Sequence, residues 1–193
     1  MRGSRWGLGG VLPSRPRCGT NAGYSLVECL FAVTLIAIIA AASVPPLASA
    51  LERSRAQAAA RFVLARMMLA RTRAAARGAV VALRFAGRPE AAVLTTFIDR
   101  NRNGIRAVDI ATGVDTAEAP GIALQSMFRG VALEPVTADG VLFSFTPLGT
   151  SSSGTVYLTA QDGSRFAVRV LGATGRARLL YYVPASGEWK DVE

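Results

Sequence analysis

Histidine is missing altogether from this 193-residue chain, and cysteine occurs only twice, at Cys18 and Cys29. The first absence removes the commonest general base and metal ligand. The second removes any disulfide framework or zinc-ligand spacing, because no cysteine follows Cys29. Aromatic side chains are scarce as well, at 7%, although 51% of the chain is hydrophobic. The apolar excess is Ala, Val and Leu, which suits one strongly apolar segment better than a large aromatic core. No glycine-rich phosphate loop runs into a Lys, and Ser and Asp show no spacing of a catalytic set. The sequence therefore reads as that of a non-enzyme, with a folded part that relies on its own core. The length suits one domain plus an anchor.

What is present begins with the run from Tyr24 to Val44, YSLVECLFAVTLIAIIAAASV, whose 21 residues carry a single charge, Glu28. At 1.5 Å per residue a helix of that length spans about 30 Å, the thickness of a bilayer core. Apolar on every side, it reads as a transmembrane helix over 24–44 rather than as a buried helix of a soluble domain. Ahead of it, residues 1–23 hold Arg2, Arg5, Arg15 and Arg17 and no acid. An ordinary signal peptide has the same basic start and apolar stretch, and Ala48-Ser49-Ala50 offers a small-residue cleavage site. The long leading segment and the charge inside the apolar run argue against it. A carboxylate at mid-membrane costs about 2.5–3.5 kcal/mol on insertion scales, so Glu28 is a functional candidate by default. The four leading arginines are nearly matched by Arg53, Arg55 and Arg61 close behind the run, so charge alone does not orient it.

Gly23-Tyr24-Ser25-Leu26-Val27-Glu28 resembles the prepilin processing motif of type IV pilins and type II secretion pseudopilins. The resemblance implies that a membrane peptidase cuts after Gly23 and that Tyr24, the new N-terminal residue, is N-methylated. Tyr24 stands where the family usually has Phe and keeps the aromatic ring. Glu28 then falls at the family's acidic position, and Pro45 at its helix-bending proline. Glycine before the cut lets the peptidase approach the backbone closely. In lipid, Glu28 needs a cation, and the Tyr24 amine of a neighbouring subunit, made only by cleavage, is the expected one. The pair would set the register of each new subunit. The resemblance also orients the chain, with the leader inside.

From Leu47 to Arg77 the chain is rich in Ala, Leu, Arg and Met, all good helix formers. Pro45 and Pro46 are expected to kink or loosen the helix between anchor and stem. The stem carries seven Arg against Glu52, whereas residues 78–193 hold 11 basic and 11 acidic residues. The basic character thus belongs to the stem. At about 100° per residue, Arg55, Arg66, Arg73 and Arg77 gather on one arc, away from Val63, Leu64, Met67 and Met68. This predicts apolar residues packed on the head and Arg shown outward, either solvated or facing acids of adjacent subunits or anionic lipid. The stretch Leu69 to Gly78, followed by Val80-Val81-Ala82-Leu83, resembles the GspH/FimT branch of the pilin-like families.

After Gly78 the pattern changes to short alternating runs, read as strands at 80–85, 92–98, 122–125, 131–134, 141–145, 155–159, 165–170 and 177–183. Asp162-Gly163 reads as a two-residue hairpin turn. Thr150 to Gly154 reads as a flexible loop. Asp99-Arg100-Asn101-Arg102-Asn103-Gly104 has the D-x-N-x-N-G spacing of a calcium loop, with Asp99, Asn101, Asn103, Ile105 and Asp109 as candidate ligands. Ile110 occupies the twelfth position, where a bidentate Glu is expected, so an Asx-type turn is the competing reading. Gly175-Arg176-Ala177-Arg178 resembles an element near the end of FimT-like minor pilins, some of which bind DNA. Arg176 and Arg178 would face the same side of a strand, towards successive phosphates. A head of zero net charge argues against strong DNA binding.

The expected fold class is α+β: a long N-terminal helix, anchor plus stem, carrying a small β-rich head, pilin-like by resemblance. The expected parts are a leader (1–23), a transmembrane helix (24–44), a basic stem (45–77) and a head (78–193). The resemblance implies a minor pseudopilin of type II protein secretion, a single-pass inner-membrane protein with a periplasmic head. Its partners would be other pseudopilins or pilins, the prepilin peptidase/methyltransferase and the membrane. No cofactor is expected unless the Asp99 loop takes calcium. Two alternatives stay open: a FimT-like minor pilin, with or without DNA binding, and a secreted β-domain starting at Leu51.

Overall fold

The computed structural model describes residues 23–135 and 140–192. The leader through residue 22, with Cys18 and its four arginines, lies outside the described residues. The chain divides into two compact units, Met1–Ser43 and Val44–Glu193. The division falls within α1, a helix over Leu26–Arg77.

In the first unit, every described side chain from Gly23 to Ser43 is exposed. α1 is long and apolar enough to cross a membrane, and none of its apolar window is buried within the chain. In the second unit α1 behaves differently. Its buried residues are Ala56, Ala59, Ala60, Val63, Met67, Ala70 and Ala74. Their spacing of three and four residues draws one stripe down the helix. Five of the seven are Ala, so the helix presents a stripe of small side chains to the core. The helix continues through Pro45 and Pro46, although each removes a backbone donor. It ends where Gly78, at φ +62°, takes the left-handed conformation that closes a helix.

Two antiparallel sheets follow. The first contains β1 (Val81–Ala86), β2 (Val93–Ile98), β3 (Thr116–Ala117), β4 (Ile122–Ala123) and β6 (Val141–Phe145), in the order β3-β2-β1-β6 with β4 also on β2. A single-turn helix α2 (Ala107–Ala111) precedes β3, and α3 (Leu124–Met127) follows β4 directly. The second sheet contains β5 (Ala132–Glu134), β7 (Gly154–Thr159), β8 (Arg165–Leu171), β9 (Arg176–Val183) and β10 (Glu188–Asp191), in the order β10-β9-β8-β7-β5. Alternation sets the inner faces. Val156 pairs with Val168 and Val168 with Leu179, while Leu83 sits opposite Phe143. These residues and the stem stripe form one hydrophobic cluster.

Three local expectations change. Residues 122–125 are not one strand: only Ile122 and Ala123 pair, and Leu124 opens a helical turn that buries its side chain. The β7–β8 hairpin is not a two-residue turn. Gly163 N donates to Ala160 O (3.1 Å), so Gln161 and Asp162 are central and Gly163 follows at φ +82°. That is the three-residue loop with glycine at its left-handed position. The serine-rich segment before β7 is not a free loop either. Ser152 N donates to Ser144 O (2.9 Å) and Ser151 N to Gly172 O (2.8 Å), tying the first sheet to the β8–β9 turn. The hydroxyls add Ser144 N to Ser152 Oγ (2.9 Å) and Gly172 N to Ser153 Oγ (3.0 Å).

Candidate functional site

The helix start is built from adjacent residues. Gly23 and Tyr24 precede the helix, and Tyr24 is 81% exposed. Ser25 is the cap: its Oγ accepts from Glu28 N at 3.2 Å, and its carbonyl accepts from Cys29 N at 3.1 Å. Ser-x-x-Glu with the Glu at the third helical position is the sequence form of a capping box. Glu28 therefore lies in the first turn, where the helix dipole favours an anion. Around it stand Leu26, Val27, Leu30 and Phe31, all exposed. A single acid amid a fully exposed apolar surface requires surroundings that are apolar yet supply a cation or a donor. Structure thus brings Gly23, Tyr24 and Glu28 to one helix end.

The stem arginines are less uniform than an outward arc. Arg73 and Arg77 both bond the carboxylate of Glu118, just past β3, with Arg77 Nη2 at 2.7 Å. Arg55 pairs with Glu52 at 3.3 Å within the helix. Arg66 lies over the Phe62 ring (5.0 Å to its centroid), and Phe62 meets Phe128 at 5.6 Å. The expected outward face is corrected accordingly: Arg73 and Arg77 turn to the chain's own head because a half-buried acid waits there. Arg53 and Arg61 remain exposed.

The D-x-N-x-N-G segment is a tight turn. Asp99 is buried; its Oδ1 accepts from Arg102 N (2.7 Å) and its Oδ2 from Gly104 N (2.8 Å). Asn101 Oδ1 accepts from Asn103 N at 3.3 Å, and both Asn side chains are exposed. Ile105 and Asp109 are half-buried. Among the described residues no three His, Cys, Asp or Glu side chains are grouped to hold a metal ion.

Arg176 and Arg178 are exposed on the outer face of β9, as alternation requires. Arg178 sits opposite Arg169 in register and lies 3.7 Å from Asp191 Oδ2. The glycine of this element has a packing role. Gly175 holds φ +59°, and a Cβ there would stand 2.5 Å from Gly149 O. On the same face Trp189 meets Tyr157 at 5.6 Å and Tyr182 at 5.3 Å.

Four features escaped sequence reasoning. Ser25 was findable from the Ser-x-x-Glu spacing. The alanine stripe was findable only by counting Ala as apolar at helical spacing. Glu118 and Asp115 carry no local signal, since each matters only through residues distant in sequence.

No curated protein matches the chain. A similar solved structure is the minor pseudopilin EpsH from the type 2 secretion system of Vibrio cholerae, at 14% identity and a TM-score of 0.47. That match covers 66% of this chain and 97% of the other. Residues 58–175, from the middle of the stem to the turn before β9, match the family described as type II transport protein GspH. This is more than half of the chain, and the chain belongs to the GspH family of type II transport proteins.

Proposed function

We propose that the protein is a minor pseudopilin of a type II protein secretion system, a non-catalytic structural subunit of the periplasmic pseudopilus. The observation that carries the reading is the first half of α1: apolar, exposed on every side, and charged only at Glu28. Such a surface finds partners in lipid before assembly and in the same helices of other subunits afterwards. In this scheme the leader stays inside the cell, the helix crosses the inner membrane and the head folds in the periplasm. A prepilin peptidase cuts between Gly23 and Tyr24, and the exposed amine becomes N-methylated. Glu28 of an incoming subunit then meets the Tyr24 amine of its neighbour. The attraction is strong because lipid screens it weakly. Register follows, because only one axial offset pairs the charges.

Glu28→Leu is the test. Membrane insertion and leader removal are expected to remain, while incorporation into the filament, read by cross-linking to other subunits, falls by at least about tenfold. Normal incorporation of Glu28→Leu sinks the register mechanism. N-terminal sequencing of the mature protein checks the processing itself: a start at methyl-Tyr24 is expected, and a start at Leu51 would mean an ordinary signal peptide.

A further inference from the structure

Among the described residues, two buried side-chain oxygens have no hydrogen-bond partner: Asp109 Oδ2 and Asp115 Oδ2. Both belong to the segment that begins with the Asp99 turn. Asp115 is 1% exposed, yet only its Oδ1 is engaged, accepting from Arg100 N at 3.2 Å. That amide is the second position of the D-x-N-x-N-G turn, so the Asp115 carboxylate lies against the turn. Asp115 N in turn donates to Asp109 O at 3.0 Å, which brings the two acids' backbones together. No Lys or Arg among the described residues forms an ion pair with Asp99, Asp109 or Asp115. Arg100, the nearest in sequence, instead directs its Nε to Thr116 Oγ1 at 2.8 Å.

Buried carboxylate oxygens without donors are costly. A bound cation offsets that cost. The donors are all oxygen, which selects a hard ion over zinc or copper. The turn is irregular, which suits calcium, whose coordination is flexible, better than magnesium, which demands a near-ideal octahedron. We infer that Asp109 and Asp115 hold a calcium ion against the Asp99 turn, with the shell completed by backbone or Asn oxygens and water. Asp115, reached through the fold, then supplies the carboxylate missing at Ile110. With two carboxylates the site belongs to the weak class, with a Kd of about 10⁻⁴–10⁻³ M. Its place has a consequence for the head. Asp115 leads into β3, which pairs with β2, and Glu118 beyond it takes Arg73 and Arg77 of the stem. Calcium would fasten the segment that receives the stem.

The test uses the full chain in detergent, freed of metal by chelation, titrated calorimetrically with calcium chloride and separately with magnesium chloride. A saturable calcium heat is expected, with magnesium weaker by about tenfold or more. Asp109→Asn and Asp115→Asn should each weaken calcium binding by at least about tenfold, while the exposed control Asp191→Asn leaves it unchanged. Saturating calcium should also raise the wild-type Tm by about 5 °C over the chelated protein. That wild-type comparison decides the matter if either variant fails to fold. Absence of both heat and Tm shift up to about 10 mM calcium overturns the site. So does unchanged affinity in both variants, and equal binding of magnesium overturns the choice of ion.

Discussion

From Leu26 to Ser43 every side chain of α1 is exposed, whereas between Ala56 and Ala74 seven are buried beneath the sheets. The two stretches belong to one helix but solve different problems. The first is apolar all round, so no face is preferred and only Glu28 carries position. The second is polar outside and small inside, so its rotation is fixed by its own head. The difference teaches that hydrophobicity alone does not say what a helix binds. Uniform apolarity calls for lipid or other chains; a stripe calls for a partner in the same chain.

Substitution by Asp separates the two stretches most sharply. Val63→Asp puts an unpaired charge into the core and should cost about 4 kcal/mol or more, read by denaturant unfolding of the full chain in detergent. Val33→Asp should leave that transition within about 0.5 kcal/mol and instead reduce membrane retention, by about 3 kcal/mol on insertion scales. Equal losses of head stability at both positions would break the contrast. A milder probe is Glu118→Gln, which removes the charge between Arg73 and Arg77. The arginines are partly exposed, so a loss of about 1 kcal/mol is expected, shrinking as salt is added. A loss that ignores salt would mean packing and not charge joins stem to β3. The smallest effect belongs to Ser25→Ala: about 1 kcal/mol at the helix start only, seen as roughly fivefold faster hydrogen exchange at the Glu28 amide. An unchanged rate there would show that the Ser25 hydroxyl does not hold the first turn.

Much of this was legible beforehand, for identifiable reasons. The apolar run and Gly23-to-Glu28 stand out because their information is local. Strand β7 alternates, with Val156 and Leu158 buried about an exposed Tyr157, whereas β1 and β8 stand out as short, nearly continuous apolar runs bounded by turn residues. Edge elements were missed: β10 is Glu-Trp-Lys-Asp, with only Trp189 half-buried, so it lacks any apolar alternation. β3 is two residues long and has no pattern to find. The stem face was read from Val63, Leu64, Met67 and Met68. Alanines make most of the buried stripe, and alanine in a sequence signals helix propensity before it signals contact. The fates of Arg73, Arg77 and Asp115 were illegible, because each depends on a residue that only the folded chain brings near.

The cap at Ser25 bears on the order of events at the helix start. The hydroxyl that holds the first turn, and the carbonyl that begins the ladder, both belong to a residue beyond the Gly23–Tyr24 bond. Neither of these two contacts of the first turn lies before that bond. On the proposed scheme, a chain severed there would keep both contacts and would stay wound at its new end until a neighbouring subunit arrived.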